Sequence, residues 1–132
     1  PLYKEAINGD AVTIDIMAED LSNVSAAEIL ILFDASVLAY QSIDKGEFFG
    51  RAQGQVLEIT TLKTSNLLQI DIGAYNGTYP AASGSGVIAT LHFNTLKVGQ
   101  SALTLQQDCS LRDKDNYVLT YNSLVNGLVD VK

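Results

Sequence analysis

The sequence predicts an all-β sandwich of eight or nine strands, and three observations carry that reading. Apolar and polar residues alternate along most of the 132 residues. Turn-forming pairs such as Asn8-Gly9, Asn126-Gly127 and Val98-Gly99 punctuate the alternation. The balance of 47% hydrophobic to 17% charged residues is that of a globular chain with one core, able to bury roughly two thirds of its surface. Short alternating runs between regular turns pack as two sheets face to face. A single domain over residues 1–132 is expected.

The elements follow in chain order. The segment opening at Pro1 soon reads as a strand, so the chain is expected to be a module of a longer protein. Val12, Ile14 and Ile16 face one way, with Thr13, Asp15 and Met17 opposed. Ser25-Ala-Ala-Glu28 has the form of a helix capping box and is followed by Ile29-Leu-Ile-Leu-Phe33, so a helix is the rival there. Five consecutive apolar residues would wrap a helix on all sides, whereas a strand covered on one face and sticky on the other accounts for them; a strand is therefore expected. Asp34 ends it, its carboxylate accepting from the amide of Ser36 or Val37 so that Val37 and Leu38 plug one end of the sandwich. Further strands are expected at Val56–Thr60, at Leu68, Ile70 and Ile72 opposing Gln69 and Asp71, at Val87, Ala89, Leu91 and Phe93 opposing Ile88, Thr90, His92 and Asn94, at Ser101–Leu105, at Tyr117–Tyr121, and at Leu128–Val131 with Val129 and Val131 inward.

Charge and composition remove several classes of function. With 8 Lys and Arg against 15 Asp and Glu, the chain carries −7 and has no basic run, so nothing favours phosphate backbones or anionic lipid. The longest uninterrupted apolar stretch, Ile29 to Phe33, is far short of the roughly 20 residues of a membrane helix. Neither nucleic acid nor membrane insertion is expected. The lone cysteine, Cys109, reads as a small buried thiol. The lone histidine, His92, makes a Ser/His/Asp triad or a multi-histidine zinc site hard to build, and sits on the polar side of its strand. Asp113-Lys-Asp-Asn116 lacks the glycine and closing glutamate of a calcium loop and reads as a turn. Ser83-Gly-Ser-Gly86 is followed by neither Lys-Ser/Thr nor a helix and is no phosphate cradle. No enzyme activity, metal or cofactor is expected.

Val12-Thr-Ile-Asp-Ile16, Asn23-Val-Ser-Ala-Ala-Glu28, Leu32-Phe-Asp-Ala-Ser-Val-Leu38, Gly46-Glu-Phe-Phe49, Leu68-Gln-Ile-Asp-Ile-Gly73, Gly84-Ser-Gly-Val-Ile-Ala-Thr-Leu-His-Phe93 and Gly127-Leu-Val-Asp-Val131 resemble, in order and spacing, a cohesin module. The resemblance spans nearly the whole chain. It implies a nine-stranded jelly-roll sandwich and a non-catalytic receptor for a dockerin, a small helical module that carries its own calcium, on an extracellular or cell-surface protein. It also implies docking across strands 8, 3, 6 and 5. The candidate contacts are then Ala26, Glu28, Leu30 and Leu32 on the third strand, Gln69 and Asp71 on the sixth, and Ala74, Tyr75, Asn76 and Gly77 in the following turn. Cellulosomal relatives often carry Asn and Asp where this chain has Ala26 and Glu28, which bears on the choice of partner.

The alternation independently supports a docking face. If Ile29, Ile31 and Phe33 face the core, Leu30 and Leu32 face out, and soluble domains seldom leave such a strip uncovered. Burying the two leucines contributes roughly 3 to 5 kcal/mol before association costs. The alternative is a carbohydrate-binding sandwich stacking sugars on Tyr75 and Tyr79; the absence of tryptophan leaves it a thin platform.

Overall fold

The computed structural model describes residues 2–75 and 81–132. Eleven strands run through these: β1 (Leu2–Ala6), β2 (Ala11–Val24), β3 (Ala26–Leu32), β4 (Leu38–Lys45), β5 (Gln55–Thr64), β6 (Leu67–Tyr75), β7 (Ala82–Thr95), β8 (Gly99–Leu105), β9 (Ser110–Arg112), β10 (Val118–Leu119) and β11 (Gly127–Val131). A 3-10 turn at Phe49–Ala52 is the only helical element among the described residues. One sheet has the order β1-β11-β8-β3-β6-β5, with β9 continuing alongside β3 and β10 pairing β9; the other is β2-β7-β4. This is a two-sheet jelly-roll sandwich.

Alternation closes the core between the sheets. Ala27, Ile29 and Ile31 of β3 and Leu68, Ile70 and Ile72 of β6 are buried, as are Val12, Ile14 and Ile16 of β2 and Leu91 and Phe93 of β7. Phe93 takes Phe33 edge-on at 5.2 Å between ring centroids and Tyr40 at 6.0 Å, arrangements that suit the ring quadrupoles. Asp34 Oδ1 accepts from the Ser36 amide at 2.9 Å and from its hydroxyl at 2.6 Å. The turn seats Val37 and Leu38 in the core, as the sequence implied.

Residues 26–32 are extended, so the helical alternative is overturned: β6 pairs with all seven positions of β3, offering a ladder that a capping box cannot match. The eight or nine expected strands become eleven: β4 is not among them, and β9 joins β10 in a short hairpin over 110–119 that trims the expected strand at 117–121 to two residues. The alternation expected along β7 also breaks. A bulge between Ile16 and Met17 moves the partner from Ala89 to Val87, and Ile88 is buried beside Ala89 while Val87 is only half-buried.

Candidate interaction face

The outer face of the large sheet follows from its register. Residues directly opposite in a ladder share a face. Ala26 lies opposite Gly73, Glu28 opposite Asp71, Leu30 opposite Gln69 and Leu32 opposite Leu67. On the next strand, Gln55 lies opposite Tyr75, Leu57 opposite Gly73, Ile59 opposite Asp71 and Thr61 opposite Gln69. On the far side Leu32 pairs with Thr104 of β8, and Ala26 and Glu28 pair with Arg112 and Ser110 of β9. The strands β8, β3, β6 and β5 that the resemblance singled out are thus neighbours in one sheet.

The face is flat at Gly73, where an added Cβ would lie 2.6 Å from the Ser25 carbonyl oxygen. At its centre two carboxylates, Glu28 and Asp71, stand directly opposite each other. Gln69 Nε2 donates to Asp71 Oδ2 at 3.1 Å. Among the described residues the ion pairs are Arg51 with Glu47, His92 with Asp44 and Lys132 with Glu5, so neither central acid has a cation of its own. Arg112, at the β9 corner, donates instead to the Asn116 carbonyl at 2.9 Å.

Leu30 is held by an unusual backbone arrangement. β8 ends at Leu105 and β9 begins at Ser110, leaving a gap in the ladder beside β3. Gln106 N–H donates to the Leu30 carbonyl at 2.9 Å, and the Leu30 amide donates to Cys109 Sγ at 3.2 Å. The buried thiol thus stands in for a missing strand partner, and burial pushes its pKa up.

Ala26, Glu28, Leu30, Leu32, Gln69, Asp71 and Tyr75 lie on this one face, the first six half-buried and Tyr75 exposed. Ala74 does not. β6 continues through Tyr75 in place of the expected turn, so Ala74 shares the parity of Ile70 and Ile72 and packs against the core. Asn76, Gly77 and Tyr79 lie outside the described residues. The sequence reading missed Leu57 and Ile59, which stand on the face 55% and 67% exposed. Leu32 also floors an open hollow of about 570 Å³ at one end of the face, rimmed by Asp34, Asn66, Gln100 and Thr104.

Elsewhere the singled-out residues have structural partners. His92 Nε2 meets Asp44 Oδ2 at 2.7 Å on the other sheet. Asp113 Oδ1 accepts from the amides of Asp115 and Tyr117, both at 2.9 Å, which makes residues 113–117 a turn. Among the described residues no group of three or more His, Cys, Asp or Glu could hold a metal ion, and no helix is long and apolar enough to cross a membrane.

A family model described as "Cohesin domain" matches residues 4–131. Among solved structures, a non-cellulosomal cohesin from the archaeon Archaeoglobus fulgidus superposes with a TM-score of 0.81 at 20% identity, covering 99% of this chain and 87% of that one. The sixth cohesin of Acetivibrio cellulolyticus scaffoldin B, solved in complex with a mutant Cel5 dockerin, gives 0.83 at 19% identity, covering 99% and 95%. A cohesin module from a Clostridium perfringens family 33 glycoside hydrolase gives 0.80 at 13% identity, covering 99% and 92%. No curated protein matches.

Proposed function

The chain belongs to the cohesin family, and from that footing we propose that it is a non-catalytic receptor module, residues 1–132, that binds a dockerin through the outer face of β8, β3, β6 and β5. The observation that carries this reading is the composition of that face. In a protein interface a few apolar anchors contribute most of the affinity, while the polar and charged groups among them set orientation and choice of partner. Leu57, Ile59, Leu30 and Leu32 provide apolar area on one flat sheet surface with Glu28, Gln69 and Asp71 among them. The related Acetivibrio cellulolyticus module was solved bound to a dockerin, which supports the same class of partner here. Calcium belongs to the partner in this reading, and the parent protein is extracellular or at the cell surface.

Pull-down with dockerin modules from the same genome tests it, with and without a calcium chelator. Retention in calcium and release on chelation are expected, because the partner's fold depends on its ions. Failure to retain any of them, or retention unaffected by chelation, overturns the proposal. A carbohydrate-binding module would instead be retarded in polysaccharide-containing gels, an effect that Tyr75→Ala would remove.

A further inference from the structure

We propose that β5 pairs with β5 of a second copy of this chain, antiparallel and centred on Ile59, so that two modules share one continuous sheet. β5 ends the large sheet, and an edge strand leaves the N–H and C=O of every other residue without a ladder partner. The ladders show which residues these are. The Ala74 amide turns to Ser25 on the β3 side, so the odd-numbered residues of β6, with Leu57, Ile59 and Thr61 opposite them, carry the bonds between β6 and β5. Glu58 and Thr60 therefore turn their backbone groups to the free edge. Lys45 Nζ of β4, which reaches the Val56 carbonyl at 3.1 Å, marks the same parity.

The edges at β1, β2 and β4 are guarded in ways that β5 is not. β1 has five residues. β2 is broken by register shifts at Ile16/Met17, Ala18/Leu21 and Leu21/Val24, and its Thr13 carbonyl is taken by Lys4 Nζ at 2.6 Å. β4 shifts between Tyr40 and Ser42. β5 instead runs from Gln55 to Leu62 in unbroken register, and Val56-Leu-Glu-Ile-Thr-Thr-Leu62 combines apolar and β-branched residues with a single charge and neither Pro nor Gly. Its own sequence selects the alignment. About a two-fold axis at Ile59, Glu58 of each copy meets Thr60 of the other in a pair that exchanges both backbone hydrogen bonds, and Thr60 already donates to Glu58 within the chain. On the outer side Ile59, 67% exposed in the free module, packs on Ile59 of the second copy, and Leu57 packs on Thr61. Centring the pair on Glu58 would oppose two carboxylates, and centring it on Thr60 would set Glu58 against Leu62. Because the axis stands normal to the sheet, both outer faces point the same way and stay open, so the pairing stands apart from the docking reading.

A single strand pair buries less than the roughly 1,200 Å² at which standard interfaces begin, so a weak, reversible dimer is expected, dissociating at roughly 10 to 100 μM. Sedimentation velocity over a concentration series reads it. Ile59→Lys and Ile59→Glu each set like charges face to face at the axis and should each weaken self-association at least tenfold, while the two variants mixed in equal amounts should re-form a dimer. Ile59 is exposed, so both free variants should melt with the wild type. Amide hydrogen exchange adds the signature of strand pairing: exchange at Glu58 and Thr60 should slow as the wild-type concentration rises, while Leu57 and Ile59, already bonded to β6, should not change. A wild type that stays monomeric into the millimolar range, or a dimer whose Glu58 and Thr60 amides exchange as fast as in the monomer, overturns the pairing. Mixed variants that stay apart overturn the alignment on Ile59.

Discussion

Leu57→Ala/Ile59→Ala isolates the contribution of β5 to docking. Both side chains project from the outer face, 55% and 67% exposed, with nothing of the chain's own core against them. Burying such a side chain completely stabilises by roughly 1.5 to 3 kcal/mol, so covering the part still exposed is worth about 1 to 2 kcal/mol each, of which alanine keeps a fraction. The double variant should therefore lose about 2 kcal/mol of binding, roughly thirtyfold in Kd. Folding should hardly change, since exposed substitutions usually shift stability by no more than about 0.5 kcal/mol each. Titration calorimetry against a calcium-loaded dockerin, with thermal melting of the free module alongside, reads both quantities. Leu30→Ala is the contrast: Leu30 is half-buried and packed against the core, so it should lose stability and affinity together. A double variant that binds within twofold of the wild type would refute the assignment of β5 to the interface.

Two predictions concern the framework around the face. Cys109→Ala removes the acceptor of the Leu30 amide and should destabilise the module by about 1 to 3 kcal/mol, with Cys109→Ser recovering part of the loss; denaturant unfolding measures both. With its pKa raised by burial and then lowered only in part by hydrogen bonds to Leu30 and Gln106, the wild-type thiol should resist alkylation at neutral pH until the chain unfolds. At the opposite edge of the sheet, Tyr3 donates to Asp130 Oδ2 at 2.9 Å, and that bond, with the neighbouring carboxylates, pushes its pKa up to about 12. The fold favours the neutral phenol, so its contribution to stability is fully present below pH 10 and is lost as pH rises from about 10 to about 12. Burial also raises the pKa of Tyr40, so ultraviolet titration should show Tyr3 and Tyr40 ionising late, and Tyr3→Phe should remove one tyrosine's share of that late step and flatten the stability profile over the same range.

The parts of the fold legible in the sequence are those where one physical signal decides. The stretch Ile29-Leu-Ile-Leu-Phe33 reads as extended over its helical rival, since a helix could not hide five consecutive apolar residues on one side. The turn at Asp34 was legible because a short carboxylate two residues before a free amide has little else to bind. Where two signals compete, the pattern misleads. Ile88 is buried out of phase because it is the extra residue of a bulge on β7, sited by that strand's pairing with β2 some 70 residues away, which shifts the register. Ala74 was expected in the turn after β6; its place is fixed by its amide, which donates to the Ser25 carbonyl at 2.8 Å across the sheet.

β5 shows the same limit in the form that matters most for docking. Val56-Leu-Glu-Ile-Thr60 contains an alternating apolar pair, Leu57 and Ile59, and the simplest rule sends that pair to the core. The ladder reverses it. β6 must keep Leu68, Ile70 and Ile72 inward, and Ile59 lies opposite Asp71, so the apolar pair is carried to the outside with the acid. The inward parity falls to Val56, Glu58 and Thr60 at the rim of the sandwich, where the Thr60 hydroxyl donates to Glu58 and Lys45 Nζ donates to the Val56 carbonyl at 3.1 Å. A slip of one residue would bury Leu57 and Ile59 and expose the glutamate, the arrangement that favours an isolated module. The chain forgoes that burial at an edge strand, where exposed apolar residues also invite aggregation. On the docking reading proposed above, a partner that covers the pair recovers the burial this phase forgoes. On that proposal the outward phase of β5, more than the half-buried leucines of β3, supplies the apolar area a partner would cover.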